Sequence, residues 1–110
     1  MSQTKIIKPK TENPDNLIEV STELYNVEDI VKKNVKIYRT GLINIPGEKG
    51  MKITINLSLF ENKQIMTDIL LKDLNNHLIW CKKEDPENIY ITIENKNKSN
   101  VEFYIKFFSF

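Results

Sequence analysis

From Met51 to Phe60 the chain reads MKITINLSLF, with apolar and polar side chains in strict alternation until the final pair. Met51, Ile53, Ile55, Leu57 and Leu59 fall on one side of an extended backbone, and Lys52, Thr54, Asn56 and Ser58 on the other. A period of two marks a strand with one buried and one wet face, because successive Cβ atoms of a strand point to opposite sides.

Working towards the amino terminus, Pro46-Gly47-Glu48-Lys49-Gly50 interrupts the pattern, and its two glycines supply backbone angles for a tight reversal. Before it, Val35, Ile37, Ile43 and Ile45 share one parity across Gly41, where a bulge or bend is predicted. Asn26 to Lys33 carries Val27, Ile30 and Val31 at helical spacing behind an Asn26 cap, which predicts one or two helical turns. Leu17 to Tyr25 alternates again, with Ile18, Val20, Thr22 and Leu24 on one face.

Towards the carboxyl terminus, Glu61 to Gln64 forms a turn. Ile65 to Lys72 then resumes with Ile69, Leu70 and Leu71 in succession. That run predicts a strand buried on both faces, with a helix over Thr67 to Leu74 as its rival. Asp73 to His77 reads as a hairpin loop, Leu78 to Lys82 as the returning strand and Glu84 to Asn88 as a turn. Ile89, Ile91 and Ile93 alternate with polar partners. After a polar loop, Asn95 to Asn100, Val101, Phe103, Ile105 and Phe107 make a last inward row. About seven strands at eight-to-twelve-residue spacing predict an all-β fold, an antiparallel β-sandwich of immunoglobulin-like or jelly-roll type over residues 17–110. Residues 1–16 are polar, hold Pro9 and Pro14 and show no period, so they are expected to form an extended or disordered arm.

The composition narrows the function. In 110 residues, 16 basic side chains face 15 acidic ones, so there is no net field to draw in nucleic acid or an anionic membrane. No run approaches the ~20 apolar residues of a membrane-crossing helix, and Met1 to Asp15 lacks the apolar centre of a secretory signal. The expected location is therefore a virion or the cytoplasm. A single cysteine, Cys81, forbids an intramolecular disulfide and leaves a structural zinc site short of thiolates. The chain is rich in Asn, Ile and Lys, lacks Ala and has one Arg, which reads as the coding bias of an AT-rich genome.

Candidates for chemistry are few. His77 is the only histidine and falls in a predicted loop, and Cys81 follows an inward Trp80 and is expected to be a partly buried structural thiol. Asp68 with Asp73, or Glu19 with Glu23, could pair as acid and base, but no third polar group marks a cleft. Gly41, Gly47 and Gly50 match no phosphate-binding spacing. Lys32, Lys33, Lys36, Tyr38 and Arg39 form a basic, aromatic cluster, diluted by Glu28 and Asp29. No catalytic, cofactor-binding or metal-binding residue is assigned.

Two features point to assembly instead. Ile6 and Ile7, set between lysines, could lie on a neighbouring subunit and add a strand to its sheet. Tyr104, Phe108 and Phe110 place aromatic rings on the face opposite the inward row of the last strand, a strip another chain could cover. The segments DILLKDLNNHLIW (Asp68 to Trp80) and YITIENKNKSNVEFYIKF (Tyr90 to Phe107) resemble the later strands of Golgi-dynamics domains, which implies a β-sandwich. The function expected is that of a non-enzymatic subunit of a larger protein assembly, without cofactor, whose partners are other subunits or further copies of itself. The favoured setting is an accessory or cementing role in a virus or phage particle. A glycan- or protein-binding module, with loops Pro46 to Gly50, Asp73 to His77 and Asn95 to Asn100 as its site, is the alternative, and a weak nucleic-acid binder is third.

Overall fold

In the computed structural model, which describes residues 17–110, the alternating segments become nine strands. They are β1 (Leu17–Val20), β2 (Leu24–Ile30), β3 (Val35–Thr40), β4 (Ile43–Ile45), β5 (Gly50–Asn56), β6 (Ile65–Leu71), β7 (Ile79–Glu84), β8 (Asn88–Glu94) and β9 (Val101–Ser109). The first sheet runs β1-β5-β8-β7; in the second, β2 pairs with β3, β3 and β4 follow one another along one side of β9, and β6 takes its other side. All pairs are antiparallel except β1 with β5. The inward rows form one core, with Ile53, Ile55, Ile89, Ile91 and Ile93 from the first sheet and Ile45, Val101, Phe103, Ile105 and Phe107 from the second. Each such side chain contributes roughly 1.5–3 kcal/mol by leaving water.

Nine strands replace the seven expected because two segments break. Leu17 to Tyr25 splits at Ser21–Glu23, so β1 and β2 enter different sheets. Val35 to Ile45 splits at Gly41 and Leu42, where the pairing with β9 shifts by one residue: Arg39 faces Lys106, but Ile43 faces Phe103. A one-residue shift exchanges the two faces. Ile37, expected on the same side as Ile43 and Ile45, therefore faces outwards, and Tyr38 and Thr40 face the core. Thr40 Oγ1 repairs the gap, accepting from the Ile105 N–H at 3.0 Å and donating to the Gly41 carbonyl at 2.8 Å.

Other expectations are corrected by long-range pairing. The helical turns over Asn26 to Lys33 shrink to a 3₁₀ turn at Val31–Lys33, closed by Asn34 at φ 53°. Asn26 does not cap a helix; its amide donates to the Ile37 carbonyl across the strand pair. β5 stops at Asn56, whose side chain accepts from the Ser58 N–H and starts a 3₁₀ turn, Leu57–Leu59, in place of further strand. Residues 65–71 are strand, not helix, but β6 is an edge strand with Met66 and Leu70 exposed, not one buried on both faces. Asp73 to His77 is no hairpin, because it joins β6 in one sheet to β7 in the other. Trp80 packs against the core, which leaves Cys81 exposed rather than partly buried.

Candidate interaction face

The two outer faces differ in chemistry. Register across β5, β8 and β7 aligns Lys52, Thr92 and Cys81 in one row and Thr54, Tyr90 and Lys83 in the next. This is the mixed polar face of a sheet that meets water.

The second sheet has an apolar outer face. Residues opposed across an antiparallel pair point to the same side, so four rows can be read from the register. Ile30, Val35 and Phe110 make the first, Phe110 being held by reciprocal backbone bonds with Gln64. Glu28, Ile37, Phe108 and Met66 make the second, with Val27 in the β2 bulge next to Glu28. Tyr25, Arg39, Lys106 and Asp68 make the third, and Leu42, Tyr104 and Leu70 the fourth.

Of the twelve large apolar side chains exposed among the described residues, seven lie here: Tyr25, Val27, Ile30, Leu42, Met66, Leu70 and Phe110. Ile37 is buried on this face, outside the core shared by the sheets. The charged row lies over the rings rather than among water alone. The Arg39 guanidinium stands 4.7 Å from the centre of Tyr104, and the Lys106 ammonium 5.2 Å from that of Phe108. Four strands at ~4.8 Å spacing and seven residues at ~3.4 Å give a face of roughly 450 Å², charged row included, about half of what each partner buries in a stable complex.

Tyr104 and Phe108 thus sit at the centre of the face, and Phe110 at its end with 41% of its surface exposed. Ile6 and Ile7 lie outside the described residues. Sequence reasoning missed Met66, Leu70 and Leu42. The run Ile69-Leu70-Leu71 gave no signal for Leu70, because it fits a strand buried on both faces as well as an edge strand with one face uncovered.

The chemical candidates stay apart. Asp68 lies on the outer face of the second sheet, Cys81 on that of the first, and Asp73 caps its own turn through the Asn75 N–H. Among the described residues no three His, Cys, Asp or Glu side chains stand close enough to hold a metal ion. The basic cluster disperses too. Lys32 and Lys33 sit on the 3₁₀ turn, Arg39 is on the apolar face, and Lys36 is tied to Asp29 at 3.3 Å and Glu61 at 3.5 Å. The Asp29 hydrogen bond holds the Lys36 ammonium above its ordinary pKa, and the Asn26 amide, then Lys36, holds the Asp29 carboxyl below its own.

The loops of the alternative reading do converge at one end, but on each other. The Asn95 amide, fully buried, donates to the carbonyls of Ile45, Pro46 and Ser99, while its oxygen accepts from Asn97, whose own amide donates to the His77 carbonyl. A Cβ at Gly47 would collide with the Lys98 backbone, so the loops are packed against each other. A shallow groove of about 380 Å³ lies elsewhere, between the start of β2 and the turn after β5, lined by Thr22, Glu23, Leu24, Tyr38 and Leu59.

No family model, curated protein or solved structure matches this chain, so the resemblance to Golgi-dynamics domains gains no support from them. Among the described residues no helix is long and apolar enough to cross a membrane.

Proposed function

We propose that this chain is a non-enzymatic assembly module whose contact surface is the outer face of the second sheet, and that a second copy of the chain is its first partner. One observation carries the reading: one outer face is polar, while the other gathers seven of the twelve exposed large apolar side chains. Water disfavours that arrangement, and a partner surface relieves it.

The charged row supports a copy as the occupant. Arg39 on β3 and Asp68 on β6 lie in one row on opposite sides of Lys106 on β9. If two such faces meet about a two-fold axis along β9, Arg39 of each copy comes over Asp68 of the other and the apolar rows cover each other, while the two Lys106 side chains meet at the axis between the two Asp68 carboxylates. Contacts of that kind are isologous, the commonest form of self-association. Within this reading the winding is immunoglobulin-like rather than jelly-roll. From β5 to β9 the strands alternate between sheets as first, second, first, first, second, with β8 between β5 and β7 and with β9 beside β6, the pattern of strands B to F of that fold. An Asn-, Ile- and Lys-rich, Ala-free composition favours a virus or phage particle as the setting.

Sedimentation equilibrium of the full chain and of the Met66→Lys, Leu70→Lys variant tests the reading. Both side chains are exposed on an edge strand, so the variant keeps the core. The proposal expects a concentration-dependent dimer that the variant loses. A wild-type chain that stays monomeric at millimolar concentration, or a variant that associates equally well, would overturn it.

A further inference from the structure

β2 pairs with β3 on one side and with no described strand on the other. Its free edge is a row of backbone donors and acceptors, the template for an added strand. Along β2 and the segment before it the charge is acidic, although Lys32 and Lys33 follow in the 3₁₀ turn and Lys36 and Arg39 stand on the paired strand. Between Leu17 and Val31 the chain carries Glu19, Glu23, Glu28 and Asp29 and no Lys or Arg. Among the described residues only Asp29 of these has an ion-pair partner, Lys36. Residues 1–10 show the reverse, with Lys5, Lys8 and Lys10 and no acid.

The edge is also apolar on both sides. On its inner side the groove offers Leu24, Tyr38 and Leu59 with Glu23 at its rim; on its outer side stand Tyr25 and Val27, each about half exposed. Lys5-Ile6-Ile7-Lys8 suits such an edge, because neighbouring residues of a strand point to opposite faces. In an added strand one isoleucine would enter the groove and the other would meet Tyr25 and Val27, with a lysine on each side. Pro9, without an N–H, would end such a strand at Lys8.

We propose that Lys5–Lys8 of one copy adds as a strand to the free edge of β2 in a second copy, guided by Glu23 and Glu28. This rests on the reading of the chain as a self-associating module; it uses the free edge of the same sheet, sharing Tyr25 and Val27 with the apolar face, and adds contact area that the face alone lacks for a stable complex.

A charge exchange in the full chain tests it. Lys5→Glu with Lys8→Glu, and separately Glu23→Lys with Glu28→Lys, should each weaken association by roughly tenfold, and the four changes together should restore it. Failure of the combined variant to recover would overturn the proposal. Disulfide trapping identifies the copy involved. Ile7→Cys, Cys81→Ser chains mixed with Val27→Cys, Cys81→Ser chains should give a mixed dimer. Mixing the first variant with the wild-type chain, whose Cys81 lies on the opposite sheet, should not. Absence of the mixed dimer, or equal trapping by Cys81, would refute the strand addition. Loss of association in Met66→Lys, Leu70→Lys with no response to charge exchange would leave the face reading standing without the arm. The converse result would leave the arm standing without the face.

Discussion

Phe107 and Phe108 are neighbours of one type on one strand, and their alanine variants separate folding from assembly. Phe107 has no exposed surface and lies 5.3 Å, ring to ring, from Phe60, which stands edge-on to Tyr38 at 5.2 Å. Phe107→Ala removes a full aromatic burial and leaves a cavity, a loss of about 3–5 kcal/mol. Phe108 is half-buried on the outer face under the Lys106 ammonium. Half the burial of a phenylalanine and one exposed cation–π contact come to about 1–2 kcal/mol, with no cavity to add. A difference of about 2 kcal/mol corresponds to roughly 10 °C in melting temperature for a domain of this size. Thermal unfolding at a concentration where sedimentation gives the monomer mass reads the first quantity, and sedimentation at high concentration reads the second. Phe107→Ala should lower the melting temperature by far the more, while Phe108→Ala should be the one that weakens the dimer. Equal losses of stability, or a Phe108→Ala chain that associates like wild type, would refute the assignment of the two faces.

Three further outcomes are expected. Asn95→Ala leaves three carbonyls and the Asn97 N–H without their buried partner and should cost about 2–4 kcal/mol in urea unfolding, with no effect on association. Thr40→Val, nearly the same shape, strands the Ile105 N–H at the break between β3 and β4 and should cost about 1–3 kcal/mol. The turn between β7 and β8 should carry a two-sided pH dependence. The Tyr90 hydroxyl, then the Glu87 and Asn88 N–H groups, hold the Asp85 carboxyl below its ordinary 3.8, and that carboxylate holds the Tyr90 phenol above 10.0. A lowered carboxyl stabilises the fold above the unfolded value and loses this as pH falls through the folded one, and a raised phenol stabilises below 10.0 and loses this as pH rises through its folded value. Melting curves of Tyr90→Phe should show a weaker alkaline dependence, the part left being that of Lys36, and a weaker acid one.

The fold was legible where a single period ran unbroken. Ile53, Ile55, Ile89, Ile91 and Ile93 announced their inward row by alternation alone, and all five are buried. Reading failed where one residue changed the phase. The shift at Gly41 and Leu42 turned Ile37 outwards, and nothing in VKIYRTGLINI distinguishes that bulge from a bend which keeps the phase. Asn26 to Lys33 looked helical because Val27 and Ile30 recur at helical spacing, and pairing with β3 overrode that local preference. Of the interaction face, Tyr104 and Phe108 were visible as the second side of an aromatic strand. Met66 and Leu70 were not, because only the sheet order shows that β6 is an edge with its outer row uncovered. Tyr25 and Leu42 join them through register across strands distant in sequence.

An isotope-filtered nuclear Overhauser experiment on a mixture of labelled and unlabelled full-length chains addresses the apolar face most directly. At concentrations where sedimentation gives a mass above the monomer, contacts between copies should arise from the methyl groups of Leu42, Met66 and Leu70. Contacts arising instead from Thr92 and Ile79 on the polar sheet, or none from those three methyls, would contradict the account.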